Sequence, residues 1–213
     1  MPSTAISSKD YVVRVATATA ATKTITGITA ANPPVVTATA HGYANGAVVY
    51  IDSVAGMVEV NQRAFVVANQ TTNTFELKGV DGTGYTAYSS GGTSALKTMT
   101  EIANVTATSL FGGQTPRIDV TNQRSRRKEY LVDIPDSGDG TLTLNVDVTD
   151  VGQARLRALR ASTASEVFTA TDRNGKAAAF VAFVDSFPVN TGVGNAVSTQ
   201  VGLVTTSEES WFA

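Results

Sequence analysis

The chain of 213 residues has no cysteine, one histidine and one tryptophan. Without cysteine there are no disulfides, no zinc–thiolate centres and no thiol nucleophile. A single histidine has no second imidazole to share a metal or a proton relay. Charge is scarce as well: 16% of residues are Asp, Glu, Lys or Arg, with 16 basic against 18 acidic, for a formal net charge of −2. A protein that binds DNA by neutralising phosphates carries the opposite balance. No apolar run approaches the roughly 20 residues that span a bilayer. The opening MPSTAISSKDY lacks an apolar signal core, so a soluble protein made in a cytoplasm is the plain expectation.

What is abundant is Val, Thr, Ala and Gly, within a hydrophobic fraction of 42%. That fraction argues against intrinsic disorder, and the bias favours strands and turns over helices. The expected class is mainly β, in one large domain or two small ones.

Charge is spread unevenly: residues 25–97 carry seven charged side chains, against 27 in the other 140 residues. Within this low-charge stretch, strand-like runs (Val35–Ala40, Ala47–Ser53, Ala64–Ala68, Thr74–Leu77) alternate with turn signals at His41-Gly42, Asn45-Gly46, Asn69-Gln70 and Asp81-Gly82. Short strands at such close spacing predict a small antiparallel barrel or sandwich. The runs NPPVVTATAHGYANGAVVYI (Asn32–Ile51), NTFEL (Asn73–Leu77) and DGTGYTAYSSGGT (Asp81–Thr93) resemble a β-barrel module recurrent in phage tail proteins and named after a half-domain of ubiquitin-activating enzymes. The name brings no enzymology, since the module has neither cysteine nor a nucleotide motif.

Strand patterning continues beyond residue 97. Leu142, Leu144, Val146 and Val148 alternate with Thr141, Thr143, Asn145 and Asp147, predicting a strand with one face in a core. Lys128–Ile134 alternates similarly. One helix is predicted after Asp150, which forms an N-cap pattern with Gln153 three residues on; Val151, Ala154, Ala158 and Ala161, with Leu159 adjoining, would form its apolar side, and Ser162–Ser165 would end it. Glu166–Thr171, Ala177–Phe187 and Val197–Thr206 supply three more strands.

Four motifs in fixed order span Thr98–Ala161: Glu101, Ile102 and Val105; Ile118-Asp119-Val120-Thr121; Lys128, Glu129, Pro135, Asp136 and Gly138; and Asp150, Gly152 and Gln153 leading into Leu156–Leu159. In that order and spacing they resemble the major tail tube protein of long, non-contractile-tailed bacteriophages, and Phe180–Thr206 resembles that family's closing hairpin. The resemblance implies a tail-tube β-sandwich or barrel with one flanking α-helix. It also makes Tyr11–Val15 and Thr98–Ile102 the arms of a hairpin whose turn the module replaces. Hairpin arms end about 5 Å apart, so an insertion there leaves the host intact. The host is then residues 1–24 and 98–213, and the inserted small β-barrel is residues 25–97, expected to project from it. Hexameric rings stacked into a virion tail tube, with tape measure and tail terminator proteins as partners and viral DNA passing without specific binding, are further implications. Rival readings are another phage structural part (tail-tip, fibre-base or capsid decoration protein) and a polysaccharide-degrading tail enzyme.

Few residues invite chemistry. His41 sits in a turn with no positioned partner. Asp133, Asp136 and Asp139 do not match the spacing of a calcium loop. Gly82–Gly92 has no Lys-Ser/Thr to make a phosphate loop, and nothing pairs two carboxylates as a glycosidase requires. No catalytic residue, cofactor or metal is expected. Arg124, Arg126, Arg127 and Lys128 form the densest basic cluster, either a solvated loop or an inter-subunit contact, and Arg155 should snorkel past the helix core. Trp211 is either a core plug or an anchor between subunits. DNA must slide through a tube without sticking, so the lining should be neutral to acidic; Glu129, Asp133, Asn145 and Asp147 are the lumen-facing candidates.

Overall fold

The computed structural model describes residues 10–134 and 138–212. Pro135 and Asp136 of the turn signature, and residues 1–9, lie outside the described residues. In chain order the strands are β1 (Val12–Thr19), β2 (Lys23–Thr24), β3 (Gly27–Ile28), β4 (Val35–Thr37), β5 (Val48–Ala55), β6 (Arg63–Ala68), β7 (Thr74–Leu77), β8 (Ser90–Glu101), β9 (Val105–Ser109), β10 (Arg117–Asp119), β11 (Tyr130–Val132) and β12 (Asp139–Asn145). Helix α1 (Val151–Ser162) follows, then β13 (Glu166–Thr171), β14 (Ala177–Ser186), β15 (Ser198–Thr205) and β16 (Ser210–Phe212). The protein is mainly β, as its composition predicts, with one α-helix among the described residues.

Among the described residues, fourteen strands join one antiparallel sheet in the order β3-β4-β7-β6-β5-β8-β1-β13-β14-β15-β12-β9, with β2 added to β8 and β16 to β14. β10 and β11 form a separate two-stranded sheet. The spine is β8. Its Ser90–Lys97 stretch pairs with β5, and its Lys97–Glu101 stretch pairs with β1 on the other edge. The division expected between residues 97 and 98 therefore falls inside one continuous strand.

Period-two side-chain alternation sorts the sheet into three cores. Val49, Ile51, Phe65, Val67, Phe75 and Leu77 point into one formed wholly within residues 25–97. Val15, Ile102, Leu144, Leu156, Phe168 and Phe180 point into a second, built from the flanking segments. The opposite faces of the same strands meet in a third: Val48, Ala64 and Val66 against Ala16, Val167, Ala179 and Val181. Here β14 lies against β6, and small side chains at Ala64 and Ala179 let the two backbones approach. Residues 25–97 thus do not merely hang from a hairpin tip; they bury a face against the rest of the chain.

The helix corrects one expectation. Its buried positions are Gly152, Gln153, Leu156 and Leu159, whereas Val151, Ala154, Ala158 and Ala161 are exposed. Alanines gain little from burial, so two leucines outweigh three alanines in choosing the face. Asp150 caps the helix, its carboxylate accepting the Gln153 N–H at 2.7 Å. The Gln153 side chain does not return to Asp150 as a capping box would. Its Oε1 accepts from the Asp147 N–H at 2.8 Å, and its Nε2 donates to Ala103 O and Asn145 O at 3.0 Å each. This buried amide ties α1 to the ends of β8 and β12 and satisfies its own polar atoms doing so. Gly152 is required by the same approach, because a Cβ there would lie 2.3 Å from the Glu101 carbonyl oxygen.

Helix propensity alone makes Gly152→Ala stabilising by about 0.5–1 kcal/mol. The backbone clash reverses the sign. Gly152→Ala should destabilise by ~1–3 kcal/mol, as overpacking does, measured by urea unfolding; an equal or raised midpoint would contradict this packing.

Candidate functional site

Residues 111–134 leave the main sheet after β9 and return before β12, and their centre is the β10–β11 hairpin. Arg117 pairs with Val132, Ile118 with Leu131 and Asp119 with Tyr130. Further hydrogen bonds, Val120 N–H to Glu129 O and Asp133 N–H to Pro116 O (3.0 Å each), extend the ladder both ways. All six strand residues are exposed. Val132 and Ile134 are 74% and 82% accessible, so the alternation read over Lys128–Ile134 does not bury one face. The pattern is present, but among the described residues no second layer covers it.

Arg124, Arg126, Arg127 and Lys128 lie together at the turn of this arm, all exposed. Asn122 Oδ1 accepts the Arg124 N–H at 2.9 Å, shaping the turn. Lys128 Nζ lies 3.4 Å from Asp119 Oδ2, both groups in solvent, a pair of little energetic weight. Trp211 is apart from this cluster. It sits exposed on β16, its ring edge-on to Phe111 at 5.2 Å, and Phe111 in turn packs edge-on against Phe180 at 5.0 Å. It is a surface cover over the root of the arm.

The four lumen candidates lie on different segments of the chain. Glu129 and Asp133 belong to the arm, and Asn145 ends β12. Asp147 lies beyond β12, because its Oδ1 accepts from the Thr149 N–H (2.8 Å) and hydroxyl (2.7 Å) and turns the chain. Those bonds, the hydroxyl first, hold the Asp147 carboxyl below its usual range.

Sequence reasoning missed the charged residues at the seam. Glu166 opens β13 with 9% of its side chain accessible and meets two cations: Lys97 Nζ at 2.8 Å from Oε1 and Arg155 NH2 at 2.7 Å from Oε2. Arg155 also donates from Nε to Ala16 O at 3.1 Å, so it is tied down rather than snorkelling free. Burial acts to raise the Glu166 carboxyl; hydrogen bonds from Lys97, the Val167 N–H and Arg155 overcome it and leave the group below its ordinary 4.5. On the other side, buried Arg63 donates to Glu59 O, Tyr85 Oη, Glu209 O and Ser210 Oγ, and pairs with Glu208 at 2.9 Å. The only sequence signal was an arginine at the head of an apolar strand.

His41 is a packing residue. Nδ1 accepts the Tyr43 N–H at 3.0 Å, so Nε2, 3.2 Å from Thr74 O, donates to that carbonyl. The ring packs against both Tyr43 and Phe75, which also touch each other. Among the described residues no three of His, Cys, Asp or Glu are grouped to hold a metal, and no helix is long and apolar enough to cross a membrane.

Replacing Glu166 with Gln leaves two cations facing each other in the seam. Glu166→Gln should cost about 2–3 kcal/mol, less than the ~3–5 of a fully buried pair because Arg155 is one-third exposed. A folded-state pKa below 4.5 also means that this stabilisation is present above the unfolded value and lost as pH falls through the folded one. The stability gap between wild type and Glu166→Gln should therefore narrow below pH 4.5, and equal slopes of unfolding free energy against pH would overturn it.

Residues 31–96 match the family model described as "Ubiquitin-activating enzyme E1 FCCH domain", in agreement with the half-domain that their motifs resemble. No curated protein matches the chain. Among solved structures, the chain is similar to one from the "Virion of native gene transfer agent (GTA) particle", at 15% identity and a TM-score of 0.45, over 54% of this chain and 89% of that one.

Proposed function

We propose that the protein is a structural subunit of a phage tail tube, forming stacked hexameric rings whose bore conducts DNA. In this reading residues 25–97 are a module inserted into a discontinuous tail tube domain of residues 1–24 and 98–213. The observation that carries it is the β10–β11 arm. It holds apolar side chains in solvent, on a chain whose motifs around it follow the tail tube order. Monomers rarely expose such contiguous apolar surface without a partner to cover it. Two motifs of the resemblance also meet in space. Gly152 packs on Glu101, and Gln153 bonds to Ala103, which gives Asp150-x-Gly-Gln a reason to accompany Glu101-Ile102.

The exposed edge strand β9 offers a second surface, where strand pairing with a neighbour would remove an aggregation-prone edge. An interface that is not self-complementary closes into rings or continues into filaments according to its rotation. Glu129, Asp133, Asn145 and Asp147 serve in this reading as acidic to neutral bore positions. The basic arm tip and Trp211 serve as subunit contacts. Tape measure and terminator proteins would meet the tube's ends. Match of residues 31–96 to the half-domain also supports a second reading, another phage structural part that uses the same module.

Negative-stain electron microscopy of concentrated protein tests this directly. Rings or tubes should form without nucleic acid and survive nuclease and chelator. Isolated compact particles at every concentration would reject the tube in favour of the second reading.

A further inference from the structure

The core between the two halves does not close at both ends. Ala16 and Val167 fill it against Val48 and Val66. Two residues further along, β1 and β13 change character: Arg14 lies opposite Thr169 in their ladder, and Thr171 follows. Alternation puts these three on the face that carries Ala16 and Val167. On the other side the covering strands have run out. β5 begins at Val48, after the Asn45-Gly46 turn in which Gly46 has a φ of 84°. β7 has ended at Leu77, and the next residue, Lys78, is held by its N–H on Val66 O at 2.8 Å.

A cleft of about 400 Å³ remains where one half stops and the other continues, within the size range of small-ligand sites. Val48, Val66 and Met99 are the apolar part of its lining, and Thr169 and Thr171 bring hydroxyls. Gly46 and Gly175, each from an Asn-Gly turn, line it without side chains. The two valines are buried and the two glycines exposed, so the lining runs from apolar inside to open outside.

The charge of the cleft has one sign. Arg14 and Lys78 line it, one from each half, and among the described residues no acidic side chain does. Glu101 lies opposite Arg14 on β8 but is exposed, and the two form no ion pair among the described residues. Asp172 falls on the other face of β13 by alternation, where its Oδ1 accepts the Asn174 and Lys176 N–H groups at 2.8 Å each. A guanidinium has five donors, yet the one hydrogen bond of the Arg14 side chain among the described residues is NH1 to Thr171 Oγ1 at 3.4 Å. The other arginines between the halves are provided for: Arg155 meets Glu166 and Arg63 meets Glu208.

We propose that this cleft binds a small organic carboxylate, its head group between Arg14 and Lys78 and its hydrocarbon part against Val48, Val66 and Met99. An arginine fork matches a carboxylate through two parallel hydrogen bonds, and a lysine adds a point charge. Phosphate fits less well, because phosphate cradles rely on free backbone N–H groups. Here the Gly46 N–H donates to Val67 O at 2.8 Å and the Gly175 N–H to Asp172 O at 3.1 Å. The cleft lies within one chain, so the site needs neither ring nor tube.

Hexanoate is the probe, titrated into the whole protein by calorimetry, with hexanol and inorganic phosphate in parallel. Hexanoate should bind in the millimolar range or tighter. Hexanol keeps the chain without the charge and phosphate the charge without the chain, so each should bind at least roughly tenfold more weakly. Arg14→Gln and Lys78→Gln should each weaken hexanoate roughly tenfold or more, as loss of a charged hydrogen-bond partner does. Lys176→Gln, at an exposed cation of the β13–β14 turn outside the lining, should leave binding unchanged. Lys78 belongs to the other half of the molecule, so its variant tests the site even if Arg14→Gln does not fold. No hexanoate heat above the hexanol control, undiminished binding in Lys78→Gln, or phosphate binding as tight as hexanoate overturns the assignment.

Discussion

The backbone ladder of β8 is the constraint on which the rest of the molecule depends. One strand of twelve residues hydrogen-bonds to β5 along its first part and to β1 along its second. Residues 25–97 and the flanking segments are therefore joined by the sheet itself and not by a linker. Each ladder bond contributes only about 0.5–1.5 kcal/mol net, yet swinging one half against the other would break several at once. Domain mobility, the default for parts joined by a flexible connection, has no hinge here.

What secures the seam is mostly apolar. Val48, Val66, Val167 and Val181 are buried between the two halves, and a fully buried valine is worth roughly 1.5–3 kcal/mol. The Arg63–Glu208 pair, with Glu208 75% accessible, adds at most about 1 kcal/mol. Arg63 matters more through the carbonyls and hydroxyls it satisfies around the last strand. Glu166 is a different case. It is buried between two cations, so its role is to keep a polar cluster from becoming a liability.

Much of this was legible from local chemistry. Thr74–Leu77 and Glu166–Thr171 are strands with the boundaries their turn-forming flanks suggest, and Asp150 caps the helix that Thr163 ends in a left-handed conformation. The helix face was misread because alanine periodicity was given the weight of leucine. The strand from Thr141 overran its end at Asn145, since Asp147 bonds forward to Thr149 and competes with the ladder. The seam could not be read at all. Runs such as Ala64–Val67 and Ala177–Val184 are apolar on both faces, which announces burial on two sides without naming the partner. Of the assembly surfaces, the basic arm tip was visible as adjacent letters.

The order of the elements along the chain has a kinetic consequence. Ribosomes add about 5–20 residues per second, and regions fold in the order they emerge. Residues 25–97 bring a whole core with them, but the strands that cover the other face of β5 and β6 are β13 and β14, which begin only at Glu166 and Ala177. For the seconds between, Val48, Val66 and Ala64 form an uncovered apolar strip on an otherwise finished surface. β1 waits longer still, with one edge open until β13 arrives. Low charge in residues 25–97 offers that nascent surface little electrostatic protection from its neighbours on a crowded polysome, so demand for chaperone holding is greatest before the last third of the chain has been made.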